Sequence, residues 1–383
     1  MLIMTNRPGG SMKRSLTVCL ALLGGSSLAA EGPAPPSQPF KLGTFSRGGR
    51  AFIGMVLDDA LVADLAAANA AFEARDRRAP KLALPGEMKE LIARYETGGT
   101  KERLHAIASR VAGERAGSSR PAYIHDLKAL KVLPPVRPET ILNAAVNYTE
   151  HAAEMAPRPG AGPTPTPTPA PRSIPGLWER KPGDTRHNPY LFPKLPAAMI
   201  GEGEPIRLPP GRERVDWECE LNAVIGKPAS HVPIERARDY IFGYTLQNDV
   251  SDRAGRGDGR HGSDWLIGKS HDTFAPVGPF IVPKEFVPDP QKLAIKFTLS
   301  GKVMQDSNTD RMTHSVDEMV HYASNILTLK PGDLVSTGSP AGVGAGRAEP
   351  VFMKAGDVSV CTIERIGTLT NPVVGPSQPT SGR

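Results

Sequence analysis

Over residues 215–225 apolar and polar positions alternate. Val215, Trp217, Cys219 and Leu221 are separated by Asp216, Glu218 and Glu220, and Gly226 closes the run. A period of two predicts a strand that sends Glu218 and Glu220 to one face and Trp217, Cys219 and Leu221 to the other. Shorter strand-like runs occupy 41–45, 51–56 and 140–146. Ala-rich, helix-like stretches cover 64–77 and 87–95, and residues 101–114 place apolar side chains at helical spacing. Further helices are expected at 148–155, 234–240 and 315–327, and 174–188 reads as loop. The rest of 190–369 reads as short strands split by Gly and Pro.

Composition divides the chain further. Met12-Lys13-Arg14, an apolar stretch at 16–23 and the small residues Ser27-Leu28-Ala29-Ala30 make residues 1–30 read as an export signal. The expectation is an exported protein, periplasmic or secreted. The apolar stretch is too short to span a bilayer, so no membrane association is expected after cleavage. Residues 31–39 form a Pro-rich linker. A small N-terminal α+β domain is expected at 40–136, closed by Pro134-Pro135-Val136-Arg137-Pro138. A catalytic, metal-binding domain follows at 137–373, interrupted at 157–188 by a Pro/Thr-rich insertion, and 374–383 reads as a disordered tail.

The chain has 383 residues with Gly and Pro at 39 each, and its formal charge is +6. Arg7, Lys13 and Arg14 contribute three positive charges before residue 31. The remaining bias is weak, and no Lys/Arg stripe is interleaved with aromatics, so no nucleic-acid partner is expected. Outside the leader-like stretch the cysteines are Cys219 and Cys361. An oxidising compartment permits a disulfide between them, but two cysteines make no disulfide framework and both lie in strand-like runs, so two buried free thiols are the favoured reading.

Two carboxylates on one strand face repel each other, and a divalent cation removes that conflict. Asp249, in Thr245-Leu246-Gln247-Asn248-Asp249-Val250, is the candidate third oxygen ligand. Three carboxylates with open positions suit Mg²⁺ or Mn²⁺, with Ca²⁺ as an alternative. The competing reading is a half-exposed strand whose acids face water. His151 and Glu154 stand three apart on a helix and share a face. A carboxylate beside an imidazole raises its basicity, which suits a general base; such a pair is also a common surface salt bridge.

These blocks, in order, resemble the fumarylacetoacetate hydrolase superfamily over about 140–371. They include Asn147-Tyr148-x-x-His151-x-x-Glu154, Leu191-Phe192-Pro193-Lys194 and Asp216-Trp217-Glu218-x-Glu220-Leu221. Asn248-Asp249-Val250-Ser251-x-Arg253, Lys269-Ser270-x-Asp272-Thr273-Phe274 and Ser336-Thr337-Gly338-Ser339-Pro340 follow. The resemblance implies an α+β, mainly β architecture: a mixed β-roll catalytic domain behind a smaller N-terminal α+β domain, assembled as a homodimer. It implies Glu218, Glu220 and Asp249 as metal ligands, and His151 and Glu154 as a water-activating dyad. Lys269 corresponds to the lysine that polarises or protonates the substrate, and Arg253 and Ser339 to substrate contacts.

The implied reaction is hydrolysis of a C–C bond in a 1,3-diketo or 2-oxo acid of acylpyruvate or fumarylacetoacetate type, with the enolate stabilised at the metal. A decarboxylase or isomerase of a 2-oxo diacid such as oxaloacetate could use the same site, and a metal-stabilised periplasmic binding protein is a third reading. Two positions depart from the family pattern. Ser339 stands where members usually carry Thr, and Arg256 where many carry Gln. Arg256 either favours a second substrate carboxylate or belongs to a solvated loop. The glycine-rich run at 338–346 lacks the Gly-Lys-Ser/Thr ending and the strand-loop-helix context of a phosphate loop, so that reading is rejected.

Overall fold

The structure, a computed structural model, describes residues 38–76, 78–114, 120–155 and 171–376. The expected leader, most of the linker, the Thr-Pro part of the insertion and the last seven tail residues lie outside them. The chain begins with strands β1 (Lys41–Arg47), β2 (Arg50–Leu57) and β3 (Leu61–Asp64) and helices α1 (Leu65–Arg75), α2 (Met88–Arg94) and α3 (Thr100–Glu114). Strands β4 (Ile124–Asp126), β5 (Lys131–Leu133) and β6 (Ile141–Ala144) lead to helix α4 (Thr149–Met155). Next come β7 (Leu191–Lys194), β8 (Met199–Ile200), β9 (Ile206–Arg207), β10 (Val215–Asp216), β11 (Cys219–Ile225) and β12 (Ile241–Asn248). They are followed by β13 (Ser251–Asp252), helix α5 (Trp265–Lys269), β14 (Ala275–Pro283), β15 (Ala294–Leu299) and β16 (Lys302–Asn308). Helix α6 (Val316–Ile326) and strands β17 (Leu334–Ser336), β18 (Val358–Ile363) and β19 (Gly367–Val374) complete the order.

Local chemistry sets several of these starts. The Asp64 carboxylate accepts from Ala67 N at 3.2 Å and caps α1. Ser315 and Glu318 close a reciprocal capping box on α6, each side chain bonded to the other residue's backbone N–H. Residues 234–240 form a 3₁₀ helix.

A 12-stranded sheet runs β4-β3-β2-β1-β14-β12-β11-β17-β6-β7, with β5 on β1 and β8 on β14. A 5-stranded sheet, β16-β15-β18-β19-β9, packs on one face of it, and β10 pairs with β13. This is an α+β, mainly β fold. Residues 40–136 and the rest of the chain share the large sheet, because β1 lies between β2 and β14, with Leu42 opposite Ile281. Among the described residues no helix is long and apolar enough to cross a membrane.

The alternation at 215–225 explains how β11 is packed. Trp217, Cys219, Leu221, Ala223 and Ile225 face the second sheet and join Ile295, Phe297, Cys361 and Ile363 in one core. Trp217 stacks on Phe297 with ring centres 5.4 Å apart. On the other face Val224 joins Leu91, Leu104, Ile107 and Val111 from α2 and α3. Each such fully buried side chain contributes about 1.5–3 kcal/mol. The Glu218–Glu220 end of that face is left for polar groups.

One expectation changes here. Cys219 and Cys361 are joined in a disulfide, not left as free thiols; their Cα atoms are 5.6 Å apart. The inward face of β11 meets β18 across the sandwich, a proximity that follows from sheet packing and from no local pattern. The described part of the insertion is also firmly held. Trp178 is buried with its ring edge-on to His314, at 5.3 Å. Arg186 pairs with Asp184 and Glu318, both at 2.9 Å, and donates to Thr313 O at 2.8 Å.

Candidate active site

The antiparallel register of β11 and β12 brings the acidic residues together. Cys219 pairs with Asn248, and the next residue, Asp249, donates its N–H to Glu218 O at 2.7 Å. Carboxylate oxygens of Glu218, Glu220 and Asp249 all lie within 4.8 Å of one another, and all three residues are buried. Their surroundings differ. Glu218 accepts from Arg253 Nη2 and from Lys269 Nζ, each at 2.5 Å, and from Ser251 Oγ at 3.2 Å. Burial opposes its ionisation, but Arg253, Lys269 and His151 outweigh burial and hold its carboxyl well below the usual range. Asp249 pairs with Lys269 at 2.5 Å and with Lys194 at 2.7 Å.

Glu220 has no ion-pair partner among the described residues. Its hydrogen bonds come from neutral groups, Asn143 Nδ2 at 3.2 Å and Ser336 Oγ. Burial, then Asp249 and Glu218, push its carboxyl well above the usual range. A buried carboxylate facing two others is the arrangement that a divalent cation relieves. Three hard oxygen donors suit Mg²⁺ or Mn²⁺, so the residues present fit such an ion.

The remaining predicted residues surround the same space. A cavity of about 160 Å³ is lined by His151, Glu218, Glu220, Arg253, Arg256, Lys269 and Ser339, with Phe192, Met155 and Trp265 among its apolar walls. Asp249 and Glu154 stand behind this lining. His151 Nδ1 lies 3.2 Å from Glu154 Oε2, and His151 Nε2 lies 3.9 Å from Glu218 Oε1. Glu154 also accepts from Gly342 N at 3.0 and 3.1 Å, which ties α4 to the glycine-rich loop. Lys269 ends the short helix α5, whose start is capped by Asp264. Ser339 Oγ accepts from Gln305 Nε2 at 2.8 Å and donates to Cys219 O at 3.3 Å.

Three supporting residues had no role in the sequence reading. Lys194 is fully buried; its Nζ donates to Val250 O at 3.1 Å and to Lys269 O. Burial lowers its pKa to about 8 despite Asp249. Asp216 accepts from Gly344 N at 2.6 Å, Ala345 N at 3.0 Å and Arg253 Nε at 3.0 Å, joining β10 to the glycine-rich loop. Asn147 accepts from His314 N and donates to Thr337 O, both at 2.9 Å, and so fixes the entry to α4. For Lys194 the available signal was a lysine inside a strand-like run that otherwise holds only apolar residues and proline.

The family described as fumarylacetoacetate (FAA) hydrolase C-terminal matches residues 140–374. The chain is 37% identical over 246 residues to a protein of Xenopus laevis named oxaloacetate tautomerase fahd2, mitochondrial, covering 64% of this chain and 69% of that one. It is 33% identical over 292 residues to the Rattus norvegicus protein named oxaloacetate tautomerase Fahd2a, mitochondrial, covering 76% and 81%. Among solved structures it resembles maleylpyruvate hydrolase from a Sphingobium species in complex with manganese(II) ion and pyruvate. That likeness has a TM-score of 0.61 and 27% identity, covering 88% of this chain and 100% of the other.

The expectation of export is corrected by these relatives, whose names place them in mitochondria and so point to an intracellular location. Basic, acid-poor N-terminal stretches occur in organelle transit peptides as well as in export signals, so composition alone did not separate the two.

Proposed function

Because this chain belongs to the fumarylacetoacetate hydrolase family of enzymes, we propose that it forms the enolate of a small 2-oxo acid, and that keto–enol tautomerisation of an acid like oxaloacetate is its best-suited reaction. One observation carries this reading. A single cavity of about 160 Å³ gathers Glu218, Glu220, His151 and Lys269. That volume is below the roughly 300–1,000 Å³ typical of drug-sized ligands, so it suits an acid of few carbons. The tautomerase names of the Xenopus and Rattus relatives support the same choice.

A divalent cation at Glu218, Glu220 and Asp249, Mg²⁺ or Mn²⁺, would supply Lewis-acid charge to the 2-oxo carboxylate. The chain's own residues then handle the protons. Glu154 engages His151 Nδ1, so Nε2 is the nitrogen available to take a proton from C3 of the substrate. The Lys269 ammonium, bonded to Glu218 and Asp249 and lining the same cavity, would offset the negative charge growing on the carbonyl oxygen and deliver a proton to it. The net change is one proton moved from carbon to oxygen, with no carbon–carbon bond broken. Arg253 and Ser339 wall the cavity and orient the acid.

Hydrolysis is the second reading, supported by the His151–Glu154 pair and by the maleylpyruvate hydrolase likeness. There His151 would take a proton from water, and the hydroxide would attack the distal carbonyl of an acylpyruvate. The carbon–carbon bond would break with its electron pair left on C3, which then takes a proton.

The test is direct. Protein supplied with Mg²⁺ or Mn²⁺ is followed by ultraviolet absorbance with enol-oxaloacetate and, separately, with an acylpyruvate. Tautomerisation is expected, and it is expected to be lost with a chelator and in Glu220→Ala. Full activity and metal content in Glu220→Ala would sink the metal site. Cleavage of acylpyruvate without tautomerisation would select hydrolysis.

A further inference from the structure

The loop after β13 carries three arginines with different surroundings. Arg253 pairs through Nε with Asp216 and through Nη2 with Glu218. Arg260 is exposed and lies 3.6 Å from Asp258. Arg256 is different again. Its Nε donates to Asp252 O at 2.7 Å, and its guanidinium lies over the Trp265 ring at 5.4 Å. Its Nη2 is buried without a hydrogen-bond partner, and the residue lines the same cavity as Glu218, His151 and Lys269.

The fold makes room for this placement. A Cβ on Gly268 would fall 2.4 Å from Arg256 Nε and 2.6 Å from Cζ, so only glycine lets the guanidinium lie against α5. Stacking on Trp265 and the bond to Asp252 hold the guanidinium plane of a residue that lines the cavity. A buried N–H without an acceptor is unfavourable unless a ligand supplies one. Burial and the neighbouring Arg253 also depress the Arg256 pKa, and an anion arriving there relieves both effects. A guanidinium fork matches a carboxylate in geometry and charge.

We propose that Arg256 recognises a second carboxylate on the substrate and makes the enzyme selective for 2-oxo dicarboxylates; the inference rests on the enolisation reading above. One end of the acid, its carboxylate and 2-oxo group, lies at the carboxylate triad. The other end reaches Arg256 on the Trp265 side of the cavity. A 2-oxo monocarboxylate of the same length leaves Nη2 without an acceptor.

The probes are oxaloacetate and its 4-monomethyl ester, in which only the second carboxylate is masked. Deuterium exchange at C3 is followed by NMR with the Mn²⁺-loaded full chain. The wild type is expected to prefer the diacid by about 10- to 150-fold in kcat/KM, mostly through KM. Arg256→Met is expected to bring that ratio to within a few-fold of one, and Arg256→Lys to keep part of it. Gly268→Ala displaces the guanidinium and is expected to lower the ratio in the same direction. A wild-type ratio near one overturns the inference, as does a ratio preserved in Arg256→Met or an equal loss on both probes. Wild-type protein that exchanges neither probe refutes enolisation itself, a separate outcome from loss of selectivity.

Discussion

Lys194→Met removes one ammonium from behind the carboxylate triad and keeps an apolar stem of similar length. In the wild type that ammonium is wholly buried, pairs with Asp249 at 2.7 Å, and donates to the carbonyls of Val250 and Lys269. Its loss leaves a buried carboxylate oxygen and two buried carbonyls without this donor. Removing one partner of a buried pair costs about 3–5 kcal/mol. The Lys194 pKa, lowered to about 8 by burial, shows that desolvation already offsets part of the attraction. The lower end, about 3 kcal/mol, is therefore expected. A chain of 383 residues has an unfolding entropy of roughly 0.8 kcal/mol/K at about 2.1 cal/mol/K per residue. The melting temperature of the metal-free protein should fall by about 4 °C. The same substitution removes a positive charge from beside Asp249, so a divalent cation meets less repulsion. The rise in melting temperature on adding Mn²⁺ should exceed that of the wild type. Differential scanning calorimetry with and without Mn²⁺ checks both effects. A fall below about 1 °C, or a smaller metal-induced rise, would refute the reasoning.

Other outcomes follow from the same structure. Burial lowers the pKa of His314 from its usual 6.5 to about 4, so the folded form stays neutral where the unfolded chain takes up a proton. Stability should therefore drop as pH falls from 6.5 toward 4, and denaturant titrations of His314→Gln should show a flatter response; equal slopes would contradict this. Cys361→Val opens a cross-link spanning 142 residues, with an expected loss of about 2–5 kcal/mol. Urea midpoints with and without reductant test it, and a wild-type midpoint indifferent to reductant would rule the bond out. Asp216→Asn removes the anion that pairs with Arg253 Nε and is expected to lower kcat by about 10- to 100-fold with metal content retained. Unchanged kcat would show that the Arg253 position does not depend on Asp216.

What the sequence could and could not disclose follows physical lines. The period-two pattern around Glu218 and Glu220 is local, so the shared face of the two carboxylates was legible, and so were the helical spacings of α2, α3 and α6. Asp249 joined them only through the order of motif blocks, because its position opposite Glu218 depends on strand register. The role of Lys194 needs its side chain brought to Asp249 and Val250, just past the end of β12, and the disulfide needs two sheets in contact. Neither leaves a periodic signature. Helix α5 is five residues long, too short for a hydrophobic repeat, although it carries Lys269 and abuts Arg256.

The position of β14 between β1 and β12 has a practical consequence for anyone dissecting the molecule. Cutting away residues 40–136 would strip β1 from β14 and uncover the part of that nine-residue strand beyond its β8 pairing at Ala275 and Pro276. That part carries the buried side chains Val277, Phe280, Ile281 and Val282. A long, apolar, uncapped edge templates association between copies. A fragment confined to the residues bearing the chemistry would thus be aggregation-prone even with every catalytic group intact, and the N-terminal strands act as the cap that keeps the large sheet from growing.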